Sequence, residues 1–190
     1  MRLFVGLLPP QRTRDELLRA LEPHRAAWSE LRWLDSENWH VTLSFLGEVP
    51  ERVMPELETR LARAASRYAP MTLSFTGAGA FPSARRARVF WTGLDGPRPE
   101  LVRLADSLGA GAQRAGAVQA DRRRFRPHLT LARSRAETDV HRLIEAFGPF
   151  AGTAWEAGAV HLVRSHLGAA VRYETIAEYP LAAAAPGGRS

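Results

Sequence analysis

His40 and Thr42 lie two residues apart in Trp39-His40-Val41-Thr42-Leu43-Ser44-Phe45-Leu46-Gly47. His128 and Thr130 repeat the arrangement in Arg126-Pro127-His128-Leu129-Thr130-Leu131-Ala132-Arg133. Polar and apolar residues alternate in both phrases. In an extended strand, residues two apart project from one face. Each phrase therefore presents an imidazole beside a hydroxyl and turns Val41 and Leu43, or Leu129 and Leu131, toward a core. An imidazole exchanges its proton near neutral pH, and a hydroxyl can donate to an anionic oxygen. Two such strands facing one cleft would place two proton-transfer groups and two donors around a small anion. That is an apparatus for acid–base chemistry on a phosphate.

The rest of the composition narrows the chemistry. The chain of 190 residues has no cysteine, which removes disulfides, thiolate zinc sites and cysteine nucleophiles together. His24, His141, His161 and His166 lack a threonine partner and read as surface or structural residues. No histidine pair brackets a glutamate at helical spacing, so no metal is expected. All 26 basic residues are arginine. Without lysine there is neither a phosphate-binding loop of the Walker type nor a lysyl-nucleotide intermediate. Arginine offers a planar fork suited to phosphate oxygens, although an Ala-, Gly- and Pro-rich chain can also carry arginine for compositional reasons. The net charge of +6 favours polyanionic partners. The opening apolar run, Leu3 to Leu8, stops at Pro9-Pro10 and is too short for a signal-peptide core. No stretch has the roughly 20 apolar residues that cross a bilayer. A cytoplasmic monomer without membrane contact is the expectation.

The elements that must hold these residues alternate along the chain. Residues 2–8 read as a strand and 11–27 as a helix, with Leu17, Leu18 and Leu21 at helical spacing. A polar connection over 31–38 precedes the first histidine strand, 39–46. A helix over 52–68 follows, with Val53, Leu57, Leu61 and Ala64/Ala65 on one face. Residues 71–76 and 87–94 read as strands around a loop containing Gly77, Gly79 and Pro82. A helix over 98–115 and the second histidine strand, 128–133, come next, then a helix over 137–147. Strands over 153–164 and 170–180 form a hairpin turning near Gly168. Residues 1–181 read as a single domain with a flexible tail, 182–190. A histidine strand followed by a helix and further strands occurs in each half, which predicts a duplicated α+β unit.

These phrases resemble the two-histidine (2H) phosphoesterase superfamily. The flanks are similar to those of the bacterial and archaeal RNA 2′,3′-cyclic phosphodiesterases, the LigT/ThpR family of 2′-5′ RNA ligases. They comprise Asn38 through Gly47, Phe81-Pro82-Ser83, Arg88 through Leu94, Phe125 through Arg133, and Tyr173 with Tyr179-Pro180-Leu181. The likeness covers roughly residues 2–181. It implies an α+β, bilobal, duplicated LigT-like fold, with two antiparallel sheets lining a central groove and helices outside. It implies metal-independent opening of a 2′,3′-cyclic phosphate on an RNA end to a 2′-phosphate, with no cofactor. Some members also join RNA ends through 2′-5′ linkages.

By the same resemblance His128 is the proton acceptor that activates water, and His40 is the proton donor to the leaving 3′ oxygen. Thr42 and Thr130 bind the phosphate. Arg126 and Arg133 are candidate RNA contacts, but simple alternation puts Arg133 on the face opposite His128, and Pro127 obscures the face of Arg126. Phe45 alternates onto the core side and reads as packing, as do Ser165 and Tyr173. Arg85-Arg86-x-Arg88 and Arg122-Arg123-Arg124 read equally as solvated loops or RNA backbone contacts. The expected partner is RNA with 2′,3′-cyclic phosphate ends, including tRNA-derived ends. The competing functions are a phosphodiesterase of a small cyclic phosphate, such as ADP-ribose cyclic phosphate, and a non-catalytic basic RNA-binding module.

Overall fold

The computed structural model of the protein describes residues 1–117, 125–168 and 170–182. Nine strands and four α-helices alternate in these segments. They are β1 (Arg2–Leu7), α1 (Gln11–Ala27), β2 (Arg32–Trp33), β3 (Val41–Glu48), α2 (Met54–Ala65), β4 (Met71–Phe81), β5 (Ala87–Asp95), α3 (Arg98–Arg114), β6 (His128–Thr138), α4 (His141–Phe147), β7 (Trp155–Ala157), β8 (Ala159–His166) and β9 (Arg172–Pro180). The strands form two antiparallel sheets, ordered β3-β1-β8-β9 and β2-β6-β5-β4-β7.

Helix periodicity decides what lies outside the sheets. In α1 the buried residues are Thr13, Leu17 and Leu21, and in α2 they are Leu57, Leu61, Ala64 and Ala65. Helix α3 buries Leu101, Leu104, Ala105, Leu108 and Ala112. Each set recurs every three or four residues and makes one apolar stripe. Helices α2 and α3 pack together and cover the first sheet through β9 and β3. Helix α4 packs on β4 of the second sheet, with α1 beside it.

The duplication is interleaved. Strand β1, helix α1 and β3 of the first half correspond to β5, α3 and β6 of the second, and each pair of strands is antiparallel and adjacent. A later strand of each half then joins the other sheet. After α2 the chain enters β4 beside β5, and after α4 it reaches β8 beside β1.

Boundaries differ from the sequence expectation where tertiary pairing overrides local signals. The polar connection contains β2, because Arg32 and Trp33 pair with Arg133 and Ala132. The glycine loop after residue 76 is instead the second part of β4, paired with β5 through a register shift between Thr76 and Gly79. Residues 137 and 138 complete β6, and α4 begins only at His141. The run over 153–164 is two strands, β7 in one sheet and β8 in the other.

Candidate active site

A groove between the sheets holds a cavity of about 130 Å³ lined by Leu34, Asn38, His40, Thr42, His128, Thr130, Arg133 and Tyr173. Both His-x-Thr phrases reach it, from β3 on one wall and β6 on the other. Val41 and Leu43, and Leu129 and Leu131, are buried on the opposite faces. The alternation read from the sequence therefore does aim all four polar side chains into one space.

Each imidazole is held in the same way. Nδ1 of His40 lies 2.8 Å from the carbonyl oxygen of Asn38, and Nδ1 of His128 lies 2.6 Å from that of Arg126. A carbonyl only accepts, so Nδ1–H donates in both rings, and Nε2 is the nitrogen left for the cavity. The same two-residue reach back along the chain occurs on both walls. It fixes the tautomer of the neutral ring and its orientation.

Each ring also rests on an aromatic from the adjacent strand. Phe4 of β1 stacks under His40, with centroids 4.4 Å apart. Trp91 of β5 lies 6.0 Å from His128, and Phe81 meets that ring edge-on at 5.0 Å. Both supports need a missing side chain. A Cβ at Gly6 would come 2.8 Å from the Val41 carbonyl oxygen and 3.4 Å from the Phe4 ring, and one at Gly79 would come 2.2 Å from the Trp91 indole. Sequence reasoning missed this layer, although a signal was present. Phe4-Val5-Gly6-Leu7 and Trp91-Thr92-Gly93-Leu94 form a second internal repeat, aromatic, β-branched, glycine, leucine.

Burial pushes both histidines below the ordinary value, since a charged ring loses solvation in the groove. The Arg133 guanidinium lowers both further, and His128 lowers His40. The backbone carbonyls work against these effects without reversing them.

Two placements correct the sequence reading. Arg133 lines the cavity on the same side as His128 and Thr130. The pairing of β6 with β5 skips Leu131, since Ala132 is opposite Phe90 and Thr130 is opposite Trp91. This β-bulge buries Leu131 and Ala132 in succession and inverts the alternation beyond them. The same device acts in β3. Its pairing with β1 skips Leu43, so Leu43 and Ser44 are both buried and Phe45 turns to the groove face. The Arg2 guanidinium lies 5.0 Å from the Phe45 ring. Phe45 is thus not a core residue.

Tyr173 also departs from its expected packing role. It is edge-on to His40 at 5.0 Å and to Phe4 at 5.3 Å, and it borders the cavity. His40 precedes β3 and Tyr173 begins β9, so they stand at diagonally opposite corners of the first sheet. Their contact means that this sheet is strongly coiled, with two corners meeting over Phe4. The register shifts in β3 and in the β8–β9 pair supply local twist. Ser165 is opposite Tyr173 on β8 and is not among the cavity-lining residues.

The remaining candidates fall elsewhere. Arg126 is exposed and precedes β6, with its guanidinium 5.8 Å from the Phe81 ring and outside the cavity lining. Arg85 and Arg86 pair with Asp139 and Glu137, and Arg88 donates to the Arg135 carbonyl, so these arginines are occupied by the protein itself. Arg122, Arg123 and Arg124 lie outside the described residues. His141 and His166 pair with Asp139 and Glu174 on the surface, and His24 packs edge-on against Phe147. Among the described residues, no three His, Asp or Glu side chains gather as a metal site. No described helix is long and apolar enough to cross a membrane.

Fold and site together define a duplicated two-histidine protein built of two antiparallel sheets around one groove. The chain belongs to the 2′-5′ RNA ligase superfamily, whose profile matches residues 21–169. It is 33% identical over 165 residues to an RNA 2′,3′-cyclic phosphodiesterase of Geobacillus stearothermophilus, covering 83% of this chain and 50% of that one. The chain thus spans about half the length of that relative. It is 34% identical over 136 residues to the Escherichia coli RNA 2′,3′-cyclic phosphodiesterase, covering 72% of this chain and 73% of the other. Among solved structures, a Thermus thermophilus protein superposes with a TM-score of 0.81 at 29% identity, covering 95% of this chain and 98% of its own. Escherichia coli LigT without ligand gives 0.74 at 26% identity, covering 96% and 98%. That protein has also been solved in complex with 3′-AMP.

Proposed function

We propose that this protein opens 2′,3′-cyclic phosphates at RNA 3′ ends to 2′-phosphates by acid–base catalysis, without a metal or cofactor. The observation that carries the reading is the paired placement of His40 and His128, each tied back through Nδ1 and each bordering one phosphate-sized cavity. The names of the relatives support the substrate class.

The step requires a water to attack phosphorus as the P–O3′ bond breaks. His128, neutral, takes the proton of the attacking water at Nε2. His40, protonated, gives its Nε2 proton to the departing 3′ oxygen, and the 2′ oxygen keeps the phosphate. The division of these two roles follows the family resemblance. Thr42 and Thr130 donate to the non-bridging oxygens as negative charge builds, and Arg133 compensates that charge. Tyr173 closes the wall behind His40. The reading takes the protein to act as a monomer. Cellular RNA ends, tRNA-derived ends among them, are the expected substrates, in the cytoplasm.

The test is end-group analysis of an RNA bearing a 2′,3′-cyclic phosphate, incubated with protein in excess chelator. A 2′-phosphate product is expected. His40→Ala and His128→Ala should each lower the rate by about 10²–10⁴-fold with the fold retained. Full activity in either variant would remove this mechanism. Turnover of ADP-ribose cyclic phosphate but not of RNA ends would redirect the substrate assignment.

A further inference from the structure

Strand β2 is only two residues long, and its first residue stands at a point the proposed chemistry does not use. Arg32 is directly opposite Arg133 across the β2–β6 pair. Directly opposed residues of an antiparallel pair share a face, with Cβ atoms about 4.5–5.5 Å apart. Arg133 lines the cavity. Two residues along from Arg32, Leu34 lines it as well, while the intervening Trp33 turns to the core and packs edge-on against Phe90. Three positions therefore agree that the Arg32 side chain rises from the groove face.

Opposed like charges destabilise an antiparallel pair. Several other arginines meet a carboxylate of the protein itself, with Arg14 on Glu37, Arg60 on Glu56, Arg86 on Glu137 and Arg103 on Glu100. Among the described residues, neither Arg32 nor Arg133 has a carboxylate partner. Two adjacent guanidinium groups left facing a groove match two nearby anionic groups on a ligand, because each planar fork can take phosphate oxygens from its own side.

We propose that Arg32 binds the phosphodiester on the 5′ side of the terminal nucleoside while Arg133 serves the cyclic phosphate, so that the groove selects RNA chain ends over isolated nucleoside cyclic phosphates. This rests on the phosphodiesterase reading above. The second anion is supplied by chain continuity, and a mononucleoside substrate lacks it.

The experiment compares adenosine 2′,3′-cyclic phosphate with a diadenosine dinucleotide carrying the same terminus. The wild-type protein should turn over both and favour the dinucleotide in kcat/KM. Arg32→Gln should reduce that preference by about tenfold, mainly through KM for the dinucleotide, the size expected for one lost charge-assisted contact. The slope of log kcat/KM against log salt for the dinucleotide should become shallower by about one, and Arg32→Lys should retain the slope. Arg133→Gln should instead slow both substrates together. Wild-type protein with no dinucleotide preference, or an Arg32→Gln variant that keeps it, would overturn the assignment while leaving the phosphodiesterase reading intact. Wild-type protein inactive on both substrates would sink that reading and this one with it.

Discussion

Under the proposed mechanism, His40 and His128 are the groups on which protonation sets the rate. Burial and the Arg133 charge hold both below the ordinary histidine value, so at pH 7 both rings of the free protein are neutral. The proposed step needs one ring protonated and one neutral. The pair therefore gives a bell-shaped kcat/KM profile, which reports the free enzyme, with its maximum below pH 6.5. A bound phosphate adds negative charge beside both rings and favours the imidazolium, so the kcat profile should lie at higher pH. Initial rates measured across pH 4.5–8.5 check both statements. A kcat/KM maximum above pH 7 would contradict the electrostatics described. At the threonines, Thr42→Val or Thr130→Val should lower kcat by about 10²-fold, the usual cost of one donor to a developing oxyanion. Steady-state kinetics on the same RNA end measures that loss.

Strands place these residues, and the aromatic residues on β1 and β5 hold the rings in place. Gly79 leaves room for the Trp91 indole, which in turn lies beside His128. Gly79→Ala should displace that indole, lower stability by about 1–3 kcal/mol, and reduce kcat more than it changes KM, because the imidazole loses its support. Leu129 is a contrast from the other face of the same element. It is fully buried between His128 and Thr130. Leu129→Ala should cost about 2–5 kcal/mol, read as a lower urea midpoint at unchanged m value. Activity per folded molecule should then fall less than stability does. Equal effects of the two substitutions on kcat would argue against a positioning role for the indole.

The two halves exchange strands and helices, and this governs how the molecule unfolds. Strand β4 completes the sheet of β5 and β6, and β8 joins the sheet of β1 and β3. Helix α3 packs against β3, in the opposite half. Neither sheet survives if one half opens, so urea unfolding should show one transition by circular dichroism and by tryptophan fluorescence. Three histidines also link stability to acid. Burial is the largest cause that lowers His40, His128 and His161 in the folded protein. Their contribution is fully present above the unfolded value near 6.5 and is lost as pH falls through the folded values. The urea midpoint should therefore drop between pH 7.5 and 5. His161→Gln should make that drop smaller while leaving the catalytic pair in place.

The period-2 alternation of the two His-x-Thr phrases assigned both strands, their core faces and the four polar residues of the cavity, because strand alternation is a local property of the backbone. Apolar spacing likewise placed α1, α2 and α3 within a few residues. What sequence alone left open depended on partners far along the chain. A bulge belongs to a pair of strands, so Leu43 and Leu131 carry no mark that Phe45 and Arg133 turn toward the groove. Strand β2 exists only because β6 lies beside it. Tyr173 reaches His40 only because the sheet is coiled. The pairing of Arg85, Arg86 and Arg88 with residues of the 135–139 segment was equally invisible, since charge runs read the same whether solvated, bound or paired. Local geometry therefore declared which polar residues of the two phrases line the cavity. Long-range register and twist determined their neighbours, because those arise between segments rather than within them.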